Sequence, residues 1–212
     1  MDSIEKIKQK YYDIISRSFL TKLELYLFSR CLDKKSIGNF SPWEFMHFKI
    51  TEEIVEVYLL SLTLNGEERL NDTGLTMNEV DVMIETWGKE NTCFKTELFE
   101  AYKLYFITDL FPFSDFENIY DRDPKKRICH YCHINDNEIE LLDAKRQIKT
   151  KRPRGYMMEI DRIKANHEYL KTNVVLACYW CNNAKSDEFS EPEFSDHIGP
   201  GIRKVWESRK NS

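Results

Sequence analysis

The 212-residue chain lacks any apolar run that approaches the length needed to span a membrane. Its most apolar stretch in the first half, residues 59–64, is short and has charged residues on both sides, which is typical of a buried core segment. The sequence shows no internal repeat or low-complexity tract, and we expect no secretory leader. We therefore expect a soluble, globular protein of the reducing cytoplasm, whose core draws on 42% hydrophobic residues.

Acidic residues outnumber basic ones, and the formal net charge of -5 argues weakly against nucleic-acid binding. The excess of acid is uneven along the chain. Residues 1–120 carry 13 Lys and Arg against 21 Asp and Glu, a net of -8, whereas residues 121–212 carry 18 against 15, a net of +3. The C-terminal part is therefore the one better suited to an anionic partner.

Within that part, a segment that we name the basic run has six cations and no acid in ten residues. Its cations are Lys145, Arg146, Lys149, Lys151, Arg152 and Arg154. Such a run is typical of a solvated loop or of a segment that contacts phosphates. Because it lies between two cysteine pairs, we interpret it as a nucleic-acid contact.

The cysteine pairs have identical spacing, Cys129-His130-Tyr131-Cys132 and Cys178-Tyr179-Trp180-Cys181. Each C-x-x-C turn presents two sulfurs, and two such turns build a closed tetrahedral zinc site. A redox dithiol and an iron–sulfur site are alternatives. A redox role would use one pair and leave the other idle, so we predict that all four cysteines share a structural zinc ion.

The remaining cysteines and the nearby histidines have simpler interpretations. Cys31 and Cys93 lie in apolar surroundings and are predicted to be small core residues. His130 and His133 flank a zinc cysteine, so we expect them to tune that turn.

The first 120 residues are predicted to be helical, because apolar residues recur at steps of three and four while strand-like alternation is scarce. Capping-box patterns at Ser41 and Thr76 indicate two helix starts. The predicted helices cover Ile4 to Ile15, Leu20 to Cys31, Trp43 to about Leu62, Thr76 to about Gly88, and Asn91 or Thr92 to Leu110. A polar, proline-containing segment near residue 121 predicts a boundary between domains 1–120 and 121–212.

The second domain has the pattern of a hairpin followed by a helix. Residues 157–163 and 173–178 are strand-like, and a polar turn around His167 separates them. Helix formers take over from Asn182, and Ser190 indicates another helix start. The fold is therefore predicted to be α+β and mostly helical, with an N-terminal helical domain before a strand, loop, strand, cysteine turn and helix.

This order resembles the HNH endonuclease family and its ββα-metal motif. The family signature has an acid and a histidine ending the first strand, an asparagine opening the second, and C-x-x-C-[NH]-x-x-K leading into the helix. The matching residues are Asp161-Arg162, Asn173 and the run from Cys178 to Lys185, and Asn173 and Asn182 keep the family's nine-residue step. The resemblance covers about Cys129 to Ser190, so residues 1–120 lie outside it.

The resemblance implies an enzyme that cleaves phosphodiester bonds with one magnesium or manganese ion. Asp161 offers an anionic oxygen and Asn182 a neutral carbonyl oxygen, the ligand types that magnesium prefers. Lys185 is one helical turn from Asn182, so it is expected to approach a phosphate. Asn173 is expected to brace the hairpin loop.

Arg162 departs from the family pattern, because it stands where a histidine that activates water is usual. An arginine stays protonated and is a poor base, although it binds phosphate bidentately and stabilises transition-state charge. His167 and Tyr169 in the hairpin loop are therefore candidates for the general base. A third interpretation is that neither His167 nor Tyr169 is the general base.

Two functions remain as hypotheses. The first is an HNH endonuclease with structural zinc, in a phage, antiphage or mobile-element context that the resemblance alone suggests. The alternative is a catalytically weak or inactive zinc-stabilised nucleic-acid-binding module, in which Arg162 marks a lost base. DNA is favoured over RNA as the partner, and the acidic helical domain is expected to dock a protein or to mediate self-association.

Overall fold

The computed structural model describes residues 3–70, 73–148 and 158–211, which are mostly helical and contain one two-stranded sheet. The helices are α1 (Ile4–Lys34), α2 (Pro42–His47), α3 (Glu52–Thr63), α4 (Met77–Glu90), α5 (Thr92–Tyr105), α6 (Phe113–Ile119), α7 (Asp136–Ala144), α8 (Tyr179–Lys185), α9 (Glu191–Glu193) and α10 (Gly199–Lys210). The strands are β1 (Glu159–Arg162) and β2 (Val174–Ala177). The predicted α+β, mostly helical class is confirmed. Across these described ranges, no helix combines the length and apolarity that a membrane span needs.

The chain divides into two compact units, which we name by their content. The cysteine unit comprises Met1–Tyr12, Phe111–Ala165 and Tyr169–Ser212. The helical unit comprises Asp13–Leu110 and Asn166–Glu168, so it includes three residues of the predicted hairpin turn. A boundary between independently folding domains near residue 121 stays a prediction.

Capping residues start several helices where the sequence predicted them. Ser41 and Glu44 form a capping box at α2, and Thr76 and Glu79 form another at α4. The segment from residue 4 to residue 34 is one helix of 31 residues rather than two stretches. No glycine or proline interrupts the chain between the two predicted stretches, so the apolar stripe continues as one helix.

The prediction of one helix from Trp43 to about Leu62 is wrong, because two helices occupy this segment. The backbone becomes extended at Phe48, which ends α2. Thr51 then caps α3, and its side chain accepts a hydrogen bond from the Ile54 N–H. A second good capping residue inside the predicted span therefore starts a separate helix.

Aromatic rings fill the core of the helical unit. Phe19 and Tyr26 on α1 make edge-to-face contacts with Phe45 of α2, and Tyr102 of α5 packs against Phe19 and Phe45. All four rings are buried. Such pairs add about 0.5–1.5 kcal/mol each beyond the burial of their area.

A buried ion pair lies beside this aromatic core. Lys22 Nζ is 3.3 Å from Glu168 Oε2 and donates a 2.7 Å hydrogen bond to the Phe48 carbonyl, while the Tyr102 hydroxyl donates to Glu168 Oε1 at 3.1 Å. Burial lowers the pKa of Lys22, and the Glu168 carboxylate opposes this shift. Because both charges are paired and hydrogen-bonded, Glu168 is held firmly within the helical unit.

The cysteine unit has an aromatic core of its own. Tyr11 packs against Phe111 and Phe116, and its hydroxyl donates a hydrogen bond to the Phe111 carbonyl. Tyr120 stacks on Phe116, and the buried Arg127 guanidinium lies 4.0 Å from the centroid of the Tyr120 ring. A desolvated cation–π contact of this kind is worth about 2 kcal/mol.

The sheet is the predicted antiparallel hairpin. Glu159 pairs with Ala177 and Arg162 pairs with Val174. Side chains alternate between the two faces of a strand, so Glu159 and Asp161 share one face while Arg162 points to the other. Two strands of four residues each are too short to be stable alone. The cysteine turns and α8 therefore have to hold the hairpin in place.

Candidate functional site

The four predicted zinc ligands come together in one buried cluster: Cys129, Cys132, Cys178 and Cys181. Their sulfur atoms all lie within 4.8 Å of one another, and the Sγ atoms of Cys132 and Cys178 are 3.6 Å apart. Zinc–sulfur bonds of about 2.3 Å in a tetrahedron place the sulfurs roughly 3.8 Å from each other. A disulfide would require about 2.05 Å. The cluster therefore fits a structural zinc ion, and the cysteines are free thiols.

Local hydrogen bonds shape the two cysteine turns. The Cys129 N–H donates to the Ile134 carbonyl at 2.8 Å, and the His133 N–H donates to the Cys129 carbonyl at 2.9 Å. His133 has a left-handed φ of 56°, which reverses the chain after the first pair. In the second turn Cys178 caps α8, and its sulfur accepts from the Cys181 N–H. Each turn thus presents its two sulfurs on one side.

The remaining cysteines match the sequence predictions only in part. Cys31 is buried as predicted, whereas Cys93 is exposed in the first turn of α5, so its prediction as a core residue is wrong. His130 Nε2 lies 2.7 Å from Glu191 Oε1. This contact ties the first cysteine turn to the start of α9.

A strand face and a helix face meet immediately after the second cysteine turn. On β1, Glu159 and Asp161 point the same way. On α8, the Asn182 Nδ2 donates a 2.6 Å hydrogen bond to Glu159 Oε2, and Lys185 Nζ lies 3.8 Å from Asp161 Oδ2. We name Glu159, Asp161 and Asn182 the strand–helix site. The two residues predicted to bind magnesium, Asp161 and Asn182, thus each contact a residue of the facing element.

Asp161 has two close partners in this site. The Tyr131 hydroxyl donates a 2.7 Å hydrogen bond to Asp161 Oδ2, and the Lys185 ammonium faces the same oxygen. Burial raises the pKa of Asp161, while the Tyr131 hydrogen bond and the Lys185 charge oppose that rise. A buried carboxylate whose charge is only partly compensated is a favourable position for a cation.

Lys185 is buried where α8 packs against β1. Its side chain is 1% exposed, and its Nζ donates a 2.9 Å hydrogen bond to the Arg162 carbonyl. The reason is that α8 has only seven residues and packs the face carrying Lys185 against β1. Lys185 thus joins α8 to the end of β1 and to Asp161, and its predicted phosphate contact stays a prediction.

The candidates for water activation have different surroundings. The Arg162 guanidinium carbon is 4.9 Å from the centroid of the buried Tyr169 ring. His167 belongs to the helical unit, where its Nε2 lies 3.3 Å from Glu52 Oε2. The choice of His167 or Tyr169 as the general base stays a prediction.

Asn173 lies at the closing end of the hairpin loop. Its Oδ1 accepts from the Lys164 N–H at 2.8 Å, its Nδ2 donates to the Lys164 carbonyl at 3.1 Å, and its own carbonyl accepts from the Ile163 N–H at 3.0 Å. These three bonds join the end of β1 to the segment that precedes β2.

The basic run is described only at its start. Lys145 and Arg146 follow α7 and are exposed, and Lys145 Nζ donates to the carbonyl of Lys210 at 2.8 Å. Four members of the run lie outside the described residues: Lys149, Lys151, Arg152 and Arg154. Their predicted role in nucleic-acid binding stays a prediction.

Three residues in or near the two sites were not predicted from the sequence. The alternation of side chains along β1 would have shown that Glu159 shares a face with Asp161. Tyr131 gave no local signal, because its partner Asp161 is 30 residues away. Gly199 begins α10 so close to the first cysteine turn that a Cβ atom there would lie 2.5 Å from the Tyr131 carbonyl oxygen.

Comparisons with known proteins give a limited result. No protein-family model matches the chain, and no curated protein matches it. Among solved structures, the chain is similar to the rare-cutting HNH restriction endonuclease PacI, with 30% sequence identity and a TM-score of 0.38. The match covers 47% of this chain and 66% of the PacI chain. A similarity of this extent does not assign an activity to this chain.

Proposed function

We propose that the chain is a metal-dependent endonuclease of the HNH type that hydrolyses DNA phosphodiester bonds. The observation that carries the proposal is the meeting of β1 and α8 at the strand–helix site, directly after the second turn of a four-cysteine cluster. Hairpin, cysteine turn and helix follow one another in the order that the ββα-metal motif requires. The motif residues Asp161 and Asn182 lie on the two faces that meet.

The donor atoms of the site fit a hard divalent cation. The Asp161 carboxylate and the Asn182 side-chain carbonyl oxygen would hold magnesium or manganese, which prefer oxygen ligands of these types. When bound, the ion would stabilise charge on the phosphate and on the leaving oxygen. The cysteine cluster offers four sulfurs to zinc and no open position, so we assign zinc to structure and not to the reaction.

Residues around the strand–helix site hold Asp161 in place or carry positive charge. Tyr131 and Lys185 fix the Asp161 carboxylate from two directions. Arg162 stays charged and would bind a phosphate oxygen pair, and its position over the Tyr169 ring restricts how the guanidinium is oriented. His167 and Tyr169 remain our candidates for the residue that activates the attacking water.

We base the proposed binding partners on the charges of the acidic N-terminal region and the basic run. Lys145 and Arg146 are exposed, and with the rest of the basic run they would contact DNA phosphates. The acidic N-terminal region is poorly suited to phosphate, so we propose that it docks a protein partner or a second copy of the chain.

The alternative function is a zinc-stabilised nucleic-acid-binding module with weak or no catalysis. It is favoured by Arg162, because a protonated guanidinium ends the strand where the motif requires a base. The burial of Tyr169 and the contact of His167 with Glu52 point the same way. Both functions share the zinc and the basic run, so turnover distinguishes them.

The test is cleavage of supercoiled plasmid by the zinc-loaded protein with magnesium or manganese. We expect nicked or linear product from the wild type and at least about a 100-fold lower rate from D161A and N182A, since outer-shell partners alone cost about 10–100-fold. Plasmid that stays supercoiled in both metals, with binding retained in a mobility-shift assay, would support the binding module. Direct competition between DNA and RNA measures the preference for DNA.

A further inference from the structure

We infer that Glu159 is a positioning residue that orients the side-chain amide of Asn182 for metal binding. The inference rests on the proposed function and adds a residue that the HNH-like signature in this sequence does not include. It begins from one contact, the 2.6 Å hydrogen bond from Asn182 Nδ2 to Glu159 Oε2.

An asparagine amide has two chemically different ends. Its oxygen binds a cation, whereas its NH₂ group is a donor and cannot. Rotation of the amide by half a turn exchanges the oxygen and the NH₂ group. An asparagine that binds a metal through its oxygen therefore needs a neighbour that can bond only to the NH₂ group. An ionised carboxylate is such a partner, because it accepts hydrogen bonds and donates none. Glu159 therefore takes the Nδ2 end and leaves Oδ1 on the opposite side of the amide.

The position of Glu159 makes this orientation rigid. Glu159 pairs in the hairpin with Ala177, which directly precedes the helix-capping Cys178. Both Glu159 and Asn182 are half-buried, and a charge-assisted bond of this length is among the stronger hydrogen bonds in proteins. The strand and the helix that carry the two residues are thus joined at the same cysteine turn.

Each of the two proposed metal ligands is then held by neighbouring side chains. Tyr131 and Lys185 hold Asp161, and Glu159 holds Asn182. Metal-binding side chains are regularly fixed by partners of this kind, and loss of such a partner costs about 10–100-fold in metal affinity. A different role for Glu159 is direct ligation of the metal, which the experiment separates from orientation.

The experiment is a double-mutant cycle on manganese affinity, measured by electron paramagnetic resonance on zinc-loaded, full-length protein. The four proteins are the wild type, E159A, N182D and the double variant E159A/N182D. Aspartate offers an oxygen at either end, so N182D removes any need for orientation. We expect E159A to weaken manganese binding about 10–100-fold in the wild-type background. In the N182D background, E159A should cause no loss of manganese affinity. There it removes only a carboxylate that repels the one introduced by N182D.

The same measurement of manganese affinity provides the control and the outcomes that would contradict the inference. E188A removes an exposed glutamate just after α8 and should leave the affinity unchanged, and zinc content should be equal in all variants. An equal loss from E159A in both backgrounds would mean direct ligation, and no loss in either would mean no role; each result overturns the inference. A wild type that neither binds manganese nor cleaves DNA would instead refute the proposed function itself.

Discussion

The hydroxyl of Tyr131 donates a 2.7 Å hydrogen bond to Asp161 Oδ2. Tyr131 lies between Cys129 and Cys132, so the first cysteine turn reaches the carboxylate that we propose as a metal ligand. The cysteine cluster and the strand–helix site are therefore parts of one hydrogen-bonded assembly. A change in one is expected to appear in the other.

The variant Y131F tests this link. It removes the hydrogen bond that opposes the raised pKa of Asp161, so the pKa should rise further and the acid limb of activity should move to higher pH. We expect cleavage to fall by about 10–100-fold near neutral pH. Edge-to-face packing of the ring on Phe194 is retained, so the melting temperature should change little. Initial cleavage rates measured from about pH 5 to about pH 9 check the shift of the acid limb.

A matched control for this variant is Y58F. The Tyr58 hydroxyl also donates to a carboxylate, Glu24 Oε1 at 2.5 Å, but within the helical unit. We expect its pH profile to match that of the wild type. Equal behaviour of Y131F and Y58F would show that the Tyr131 bond has no role in the site.

Zinc content is the second prediction. Metal analysis should find about one zinc ion per chain, which C129S and C178S each lose, since a closed structural site requires four ligands. Loss of the metal should also lower the melting temperature, because structural zinc contributes directly to folding. C93S replaces an exposed cysteine outside the cluster and should keep its zinc. Retention of zinc by C129S/C178S would contradict the assignment.

Gly199 provides the third prediction. A Cβ atom at this position would lie 2.5 Å from the Tyr131 carbonyl oxygen and 2.9 Å from its carbonyl carbon, so G199A forces the start of α10 away from the cysteine turn. We expect a loss of about 1–3 kcal/mol in the free energy of unfolding, typical of overpacking. G201A is the matched control on the same helix, because a Cβ atom at Gly201 would have no neighbouring atom within 4 Å. There the change should be neutral or stabilising by up to about 1 kcal/mol, as measured by urea denaturation.

The fourth prediction concerns pH and Glu138. Burial would raise the pKa of Glu138, but hydrogen bonds from Arg203, Lys210 and the Asn135 N–H outweigh it and lower the pKa to about 2. A depressed folded pKa stabilises the fold above the ordinary value of about 4.3, and that contribution is lost as pH falls toward 2. The stability difference between the wild type and E138Q should therefore be constant above about pH 5 and shrink below it. Thermal melts of both proteins across this range measure the difference, and a constant gap down to pH 3 would contradict the prediction.

Patterns confined to a few residues predicted the structure well. The C-x-x-C spacing located all four cluster cysteines, because each turn is built by its own backbone hydrogen bonds. Two strand-like segments around a polar turn predicted the hairpin. The helix α7 was missed, although Asn135 and Glu138 form a capping box at its start. That box is as local a signal as those of α2 and α4, so α7 was equally predictable from the sequence.

Features that depend on distant parts of the chain were not predictable in this way. The contact of Tyr131 with Asp161 joins two elements that have no common sequence pattern. The type and spacing of Lys185 gave no sign that packing of α8 on β1 buries its side chain. Cys93 was expected in the core because its neighbours are apolar, but its side of α5 faces solvent. In each case tertiary packing decided what local sequence left open.

The shortness of the hairpin has a consequence for how the protein would mature in a cell. Strands of four residues do not hold their register alone, so the carboxylates on β1 would meet α8 only after the cysteine cluster has closed. A newly synthesised chain would then have no assembled strand–helix site until it acquires zinc. The amount of assembled site would follow the supply of zinc as well as the rate of synthesis. Under the proposed function, chains without zinc would leave the surrounding DNA uncut.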